Sequence, residues 1–264
     1  MAWLDEEIHR IRSRQYQKGC RWKYFLLGAI SVLVLISAVF FLITYATESD
    51  VVVIRVDGTI MSGNFYGGGY AGSEYVGRQL RSAADDPMTS AIVLRVNSPG
   101  GTPSGAQEII ADIEYAKSKK PVVASMGDIA TSAAYHICSH TDLIYANPDT
   151  MTGSIGTIWT FYDVSGSLED EGVVVDVVKS GEKKDLGSQF RPLSDEERKF
   201  VQGMVNASFE RFVSDVIEER GIERALVEDA RLFSGEEALK VGLVDRTGNL
   251  YDAVSGAREL AASV

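Results

Sequence analysis

Asp128-Ile129-Ala130-Thr131-Ser132-Ala133-Ala134-Tyr135 joins two kinds of backbone pattern. Before it, Pro121 to Ser125 is a short apolar run with the character of a buried strand; after it, Ala133 to Ser139 reads as a short apolar helix. A small polar residue, Ser132, therefore stands where a strand gives way to a helix. The N–H groups at a helix start lack intrahelical partners and carry partial positive charge. A hydroxyl placed there serves either as a helix cap or as a nucleophile held beside donors for an oxyanion. The window by itself leaves both roles open.

Working outward, the same alternation recurs. Val51 to Val56 reads as a strand, and Ser73 to Ala84 as a helix with Val76, Leu80 and Ala83 on one face, ended by Pro87. Ser90 to Val96 is a second strand, followed by the tight turn Asn97-Ser98-Pro99-Gly100-Gly101-Thr102-Pro103. Ser104 to Lys120 is an amphipathic helix with Ile109, Ile113 and Ala116 inward, and Asp142 to Ala146 adds a further strand. The valine-rich run Val173 to Val178, broken only by Asp176, predicts a fifth strand of the doubly covered kind. Asn64 to Gly72, rich in Gly and Tyr, predicts a mobile loop. The C-terminal third is helical: Ser194-Asp195-Glu196-Glu197 is a capping box opening a long helix that stops at Gly221. Ser234-Gly235-Glu236-Glu237 opens a second, and Asn249 to Ala262 forms a third. This βα alternation predicts an α/β fold: a mostly parallel sheet with helices on both faces.

The N-terminus differs from this body. Residues 1–23 are polar and basic, with Arg10, Arg12, Arg14, Lys18, Arg21 and Lys23, and residues 24–47 contain no charge. Tyr24 through Thr44 is long and apolar enough to cross a bilayer as a helix. Trp22, Tyr24 and Tyr45 stand at interfacial positions, and Glu48 and Asp50 close the far side. The run is too long for a cleaved signal peptide and lacks a small-residue cleavage site. The expected organisation is a cytoplasmic basic N-terminus (1–23), a transmembrane helix (24–47) and an extracytoplasmic domain (48–264). The charge rule places the protein in the cell membrane, single-pass, with the N-terminus cytoplasmic and the domain outside.

The formal net charge is −11, with about +3 on residues 1–23 and about −14 on the rest. An acidic body argues against nucleic acid as a partner. Two cysteines, Cys20 and Cys138, make no disulfide framework, and zinc-type CxxC spacing is absent. No Walker loop is present.

A serine nucleophile needs a base. The histidines are His9, His136 and His140. His136 lies four residues after Ser132, but side chains stacked on one helix seldom meet at attack geometry, and it reads as a packing or surface residue. His136 and His140, with Asp142 near, form only a weak metal pattern without an HExxH context. Lysine is the other base, active when burial keeps it neutral. Lys179, Lys183 and Lys184 are candidates, and residue chemistry does not choose among them.

The motifs taken in order choose. Asn97-Ser98-Pro99-Gly100-Gly101 and Ala130-Thr131-Ser132-Ala133-Ala134-Tyr135 come first. Pro148-Asp149-Thr150-Met151-Thr152-Gly153-Ser154-Ile155-Gly156 and Lys179-Ser180-Gly181-Glu182-Lys183-Lys184-Asp185 follow. Arg231-Leu232-Phe233-Ser234-Gly235-Glu236-Glu237-Ala238 and Gly242-Leu243-Val244-Asp245 complete the set. From about Val51 onward the chain resembles the signal peptide peptidase A family of serine peptidases, related to Clp protease and the crotonases. The resemblance implies a Clp/crotonase-like fold with Ser132 as nucleophile and Lys184 as general base. It implies oxyanion donors at Gly101 and at the N–H of Ala133, and a hydrogen bond from Ser154 to the lysine. Many members carry two glycines after the serine; this chain has Ala133-Ala134, which leaves the N–H free to donate but narrows the pocket. The resemblance further implies an acyl-enzyme mechanism with no cofactor and no metal. It also implies that each chain supplies a whole dyad, in a membrane-anchored, ring-shaped homo-oligomer acting on signal-peptide remnants and unfolded or mislocalised exported proteins. Two alternatives stand beside it: a crotonase-like acyl-CoA enzyme, and a non-catalytic membrane scaffold.

Overall fold

The computed structural model describes residues 2–46 and 50–263. The chain divides into two compact units, Met1–Ser49 and Asp50–Val264. In the first, α1 (Ala2–Ala46) is one continuous helix that takes in the basic stretch as well as the apolar one. Its segment Trp22–Phe41 has a mean hydropathy of 2.5 over 20 residues. At 1.5 Å per residue that is about 30 Å, the thickness of a bilayer's hydrocarbon core. By length and composition it can cross a membrane. Glu48 lies outside the described residues, as do the side chains of Cys20 and Tyr45.

The second unit starts with β1 (Asp50–Asp57), then β2 (Thr59–Met61), β3 (Tyr66–Gly67) and β4 (Tyr70–Gly72). Next come α2 (Ser73–Asp85), β5 (Thr89–Ser98), α3 (Pro103–Lys117), β6 (Val122–Thr131) and α4 (Ala133–Ser139). After them lie β7 (Leu143–Ala146), β8 (Met151–Gly153), α5 (Ser165–Asp170) and α6 (Asp195–Arg220). The chain ends with β9 (Leu232–Ser234), α7 (Gly235–Lys240), β10 (Arg246–Thr247) and α8 (Leu250–Ser263).

The main sheet runs β1-β5-β6-β7-β10 with every pairing parallel. The far half of β6 also pairs in parallel with β8, and β8 pairs antiparallel with β9. One face carries the larger core, in which Leu80 of α2, Ile109 and Ile113 of α3, Tyr135 of α4 and Val213 and Val216 of α6 are buried. The other face packs Val93, Val123 and Tyr145 against Ala253 and Ala257 of α8. Helices thus cover both faces, as the alternation predicts.

Helix ends follow the local chemistry. Ser194 Oγ accepts from Glu197 N and Glu197 returns a carboxylate to Ser194 N, the reciprocal box that opens α6. Gly221, at φ 62°, ends it.

Two expectations are corrected. Asn64 to Gly72 is not a loop: β3 and β4 form a hairpin that pairs with β2 in a three-stranded sheet. Gly67, Gly68 and Gly69 all have positive φ and supply its turn. Val173 to Val178 is not a strand, and Val174 and Val178 keep 92% and 96% of their surface. Apolar character suits a buried strand, but a ladder also needs a neighbour, and among the described residues none pairs with this run.

Candidate active site

β6 is longer than its apolar core, because Asn97 holds a bend. The register between β5 and β6 shifts at Val96/Ser98, and Asn97 Oδ1 fills the gap by accepting from the N–H groups of Asp128 (3.0 Å) and Ile129 (3.2 Å). The strand therefore continues through Thr131, with Thr131 Oγ1 donating to Pro99 O and Thr152 Oγ1 to Ala130 O. It delivers Ser132 directly to the first turn of α4.

Ser132 sits at φ 55°, ψ −126°, a backbone conformation that L-residues rarely adopt. Its side chain makes no capping hydrogen bond, which removes the helix-cap reading. Its N–H donates to Gly153 O at 2.8 Å, so Ser154 follows directly on the residue that anchors it. Ser154 is itself at φ 51°.

The Gly100-Gly101 turn lies against this corner. A Cβ on Gly100, at φ 106°, would stand 2.8 Å from Ser132 Cβ and 3.1 Å from Ala133 N. A Cβ on Gly101 would fall 1.9 Å from Ile60 O. Ile60 N donates to Gly100 O and Thr102 N to Ile60 O, which pins the turn. Among the described residues, no backbone acceptor takes the Gly101 or Ala133 N–H. Two free donors beside a hydroxyl is the arrangement an oxyanion requires.

Gly101, Ser132 and Ala133 line one cavity together with His136, Arg211 and Phe212. Lys184 and Ser154 are not among its lining residues. Lys184 is exposed on a single 3-10 turn, Glu182–Asp185. Of the three candidate lysines it alone has no carboxylate within ion-pair distance among the described residues. Lys179 binds Asp185 at 2.5 Å and Lys183 binds Glu196 at 3.0 Å.

His136 is more than a packing residue. It is buried, stacks on Phe212 with centroids 4.4 Å apart, and has Nε2 3.0 Å from Asp215 Oδ2. Desolvation pushes its pKa down to about 4, against the smaller upward pull of Asp215, so the ring is neutral near pH 7. Asp142, near the histidine pair in sequence, instead accepts from Val122 N at 2.7 Å. Asp215 and Arg211 of α6 escape sequence reasoning, since nothing local marks them off from the other charged residues of that helix.

Residues 114–263 match the family model described as peptidase family S49. Protease 4 of Salmonella typhi is 36% identical over 219 residues, which make up 81% of this chain and 35% of that protein. A putative signal peptide peptidase SppA of Enterococcus faecium is 36% identical over 187 residues, 69% of this chain and 54% of that one. The chain thus spans about a third and about half of the lengths of these relatives. Among solved structures, a serine-to-alanine mutant of the 1510-N membrane-bound stomatin-specific protease matches with a TM-score of 0.50 at 18% identity. The match covers 78% of this chain and 83% of that chain, a likeness of fold.

Proposed function

Because this chain belongs to peptidase family S49, we propose that it is a membrane-anchored serine endopeptidase with a Ser132–Lys184 dyad. Ser132 attacks a peptide carbonyl, and neutral Lys184 takes its proton and passes it to the leaving amine. The N–H groups of Gly101 and Ala133 hold the oxyanion, Ser154 orients the lysine, and water releases the acyl group. Its substrates are signal-peptide remnants and unfolded or mislocalised exported proteins. The helix at Trp22–Phe41 is the anchor, with the N-terminus cytoplasmic and residues 48–264 outside as the protease domain.

The observation that carries this reading is Ser132 itself: strained, free of capping, and set in a cavity beside two free N–H groups. Such strain concentrates at functional sites. Lys184 is absent from that cavity's lining; in place of the expected dyad within each chain, we infer one completed between copies in a homo-oligomeric ring. The exposed Val173, Val174, Val175, Val177 and Val178 precede Lys184 and are the apolar surface through which one copy presents it to the next.

One observation favours a second reading. His136 lines the Ser132 cavity and contacts Asp215, as in a Ser-His-Asp triad. The ring is reversed for that role, with Nε2 turned to the carboxylate rather than the serine. The experiment is peptide hydrolysis by the purified full chain, with intact-mass mapping of an acyl adduct. Ser132→Ala abolishes activity and adduct, Lys184→Ala lowers turnover at least about 10²-fold, and His136→Ala stays active. Activity in Ser132→Ala rejects the serine mechanism; full activity in Lys184→Ala with loss in His136→Ala installs the triad instead.

A further inference from the structure

Behind the cavity, α4 and α6 bring together side chains that the dyad does not use. His136 and His140 are one helical turn apart, and Asp215 meets them from α6. One donor atom from each of the three lies within 4.8 Å of the other two. His140 retains 9% of its surface. Its Nδ1 is 3.2 Å from Glu114 Oε1 and 3.6 Å from Glu219 Oε1. Its Nε2 is buried and has no hydrogen-bond partner. When Nδ1–H donates to a carboxylate, Nε2 is left as a bare lone pair. A buried lone pair that accepts nothing is a rare state for a polar atom, and it is the state of a histidine ready for a metal.

We propose that His136, His140 and Asp215 bind a divalent transition-metal ion, zinc by preference, with Nε2 of His140 as one ligand. Two imidazoles and a carboxylate are a ligand set zinc accepts, with a fourth position left for water. Tetrahedral zinc at its usual bond lengths spaces its ligands about 3.3–3.6 Å apart. His136 Nε2 and Asp215 Oδ2, now 3.0 Å apart, open slightly to admit the ion, and the ring proton moves from Nε2 to Nδ1, so that a neutral imidazole ligates. Glu114 behind His140 supplies the carboxylate–histidine–metal relay that fixes ring and tautomer. The ion ties α4, which follows directly on Ser132, to α6, which supplies Phe212, and so sets the wall of the cavity. The site stands whichever base serves Ser132, and its test reads binding, not hydrolysis.

The test uses the full chain in detergent, free of any histidine tag and stripped with EDTA, titrated with zinc and separately with cobalt(II). We expect one zinc per chain after dialysis and a cobalt spectrum with the visible bands of a tetrahedral site. His140→Gln and Asp215→Asn abolish stoichiometric retention, and Glu114→Gln weakens it about 10–100-fold. Each variant is first shown to unfold, without metal, at the parent's temperature. A variant that does not fold leaves the decision to the parent's cobalt bands, whose absence overturns the site. Zinc not retained by the parent, as when only water occupies the space, overturns it. So does zinc held as tightly by His140→Gln and Asp215→Asn as by the parent.

Discussion

Ser132 is where stability and chemistry pull apart. At φ 55° the residue carries a backbone penalty that the surrounding hydrogen bonds hold in place, of the order of 1–3 kcal/mol. Glycine removes that penalty but adds about 0.5–1 kcal/mol of unfolded-state entropy. The first effect is the larger, so Ser132→Gly raises stability by about 1 kcal/mol while losing all hydrolysis. Ser132→Ala keeps the strain and stays near the parent. Chemical denaturation of the full chain in detergent checks both; a Ser132→Gly protein less stable than Ser132→Ala removes the strain argument. At this scale the sequence is readable where the signal is local. A serine between an apolar strand and an apolar helix, with a glycine pair at an earlier strand end, marks the corner by residue pattern alone. The partner of His136 is not readable, because Asp215 lies 79 residues on and nothing local distinguishes it from other acidic residues on α6.

The segment that carries Lys184 is held by charges rather than by packing. Asp185 takes Lys179 on one oxygen (2.5 Å) and Arg191 on the other (2.9 Å). Arg191 in turn grips both oxygens of Glu197 in the first turn of α6, at 2.6 and 2.8 Å. Hydrogen bonds from Arg191, then from Ser194, hold the Glu197 carboxyl down at about 2, from a usual 4.5. Arg191 and Lys179 hold Asp185 still further below the carboxylate range. A folded pKa below the unfolded one contributes stability that is full above the unfolded value and is lost as pH falls through the folded one. The clamp is therefore intact above about pH 4.5 and fades towards pH 2. Amide exchange over residues 179–191 is expected to quicken across that window, and Glu197→Gln to show the same loosening at pH 7. Protection unchanged in both cases means the turn is held by something else. The capped helices α6 and α7 are legible because caps are short-range chemistry. Val173–Val178 defeats the pattern because strand formation depends on a neighbour, which composition does not supply.

Across the whole molecule, the apolar exposure and the position of Lys184 make one argument. A lone chain leaves Val174 and Val178 almost fully in water, a cost that burial against another copy relieves at about 25 cal/mol per Å² of apolar surface. The same segment leads into the lysine that the Ser132 cavity lacks. A heterologous contact, in which each chain offers its lysine segment to the next, closes into a ring if the rotation allows. Two dead chains then rescue each other. Ser132→Ala supplies the lysine and Lys184→Ala supplies the serine. Coexpressed in equal amounts with different tags and purified as mixed assemblies, they recover roughly a quarter of the parent's hydrolysis by random neighbour pairing, while each alone stays inactive. Mixed assemblies that form but remain inactive place both dyad members within one chain. Chains that purify only as monomers, fully active in the parent, end the ring argument together with the role assigned to the exposed valines.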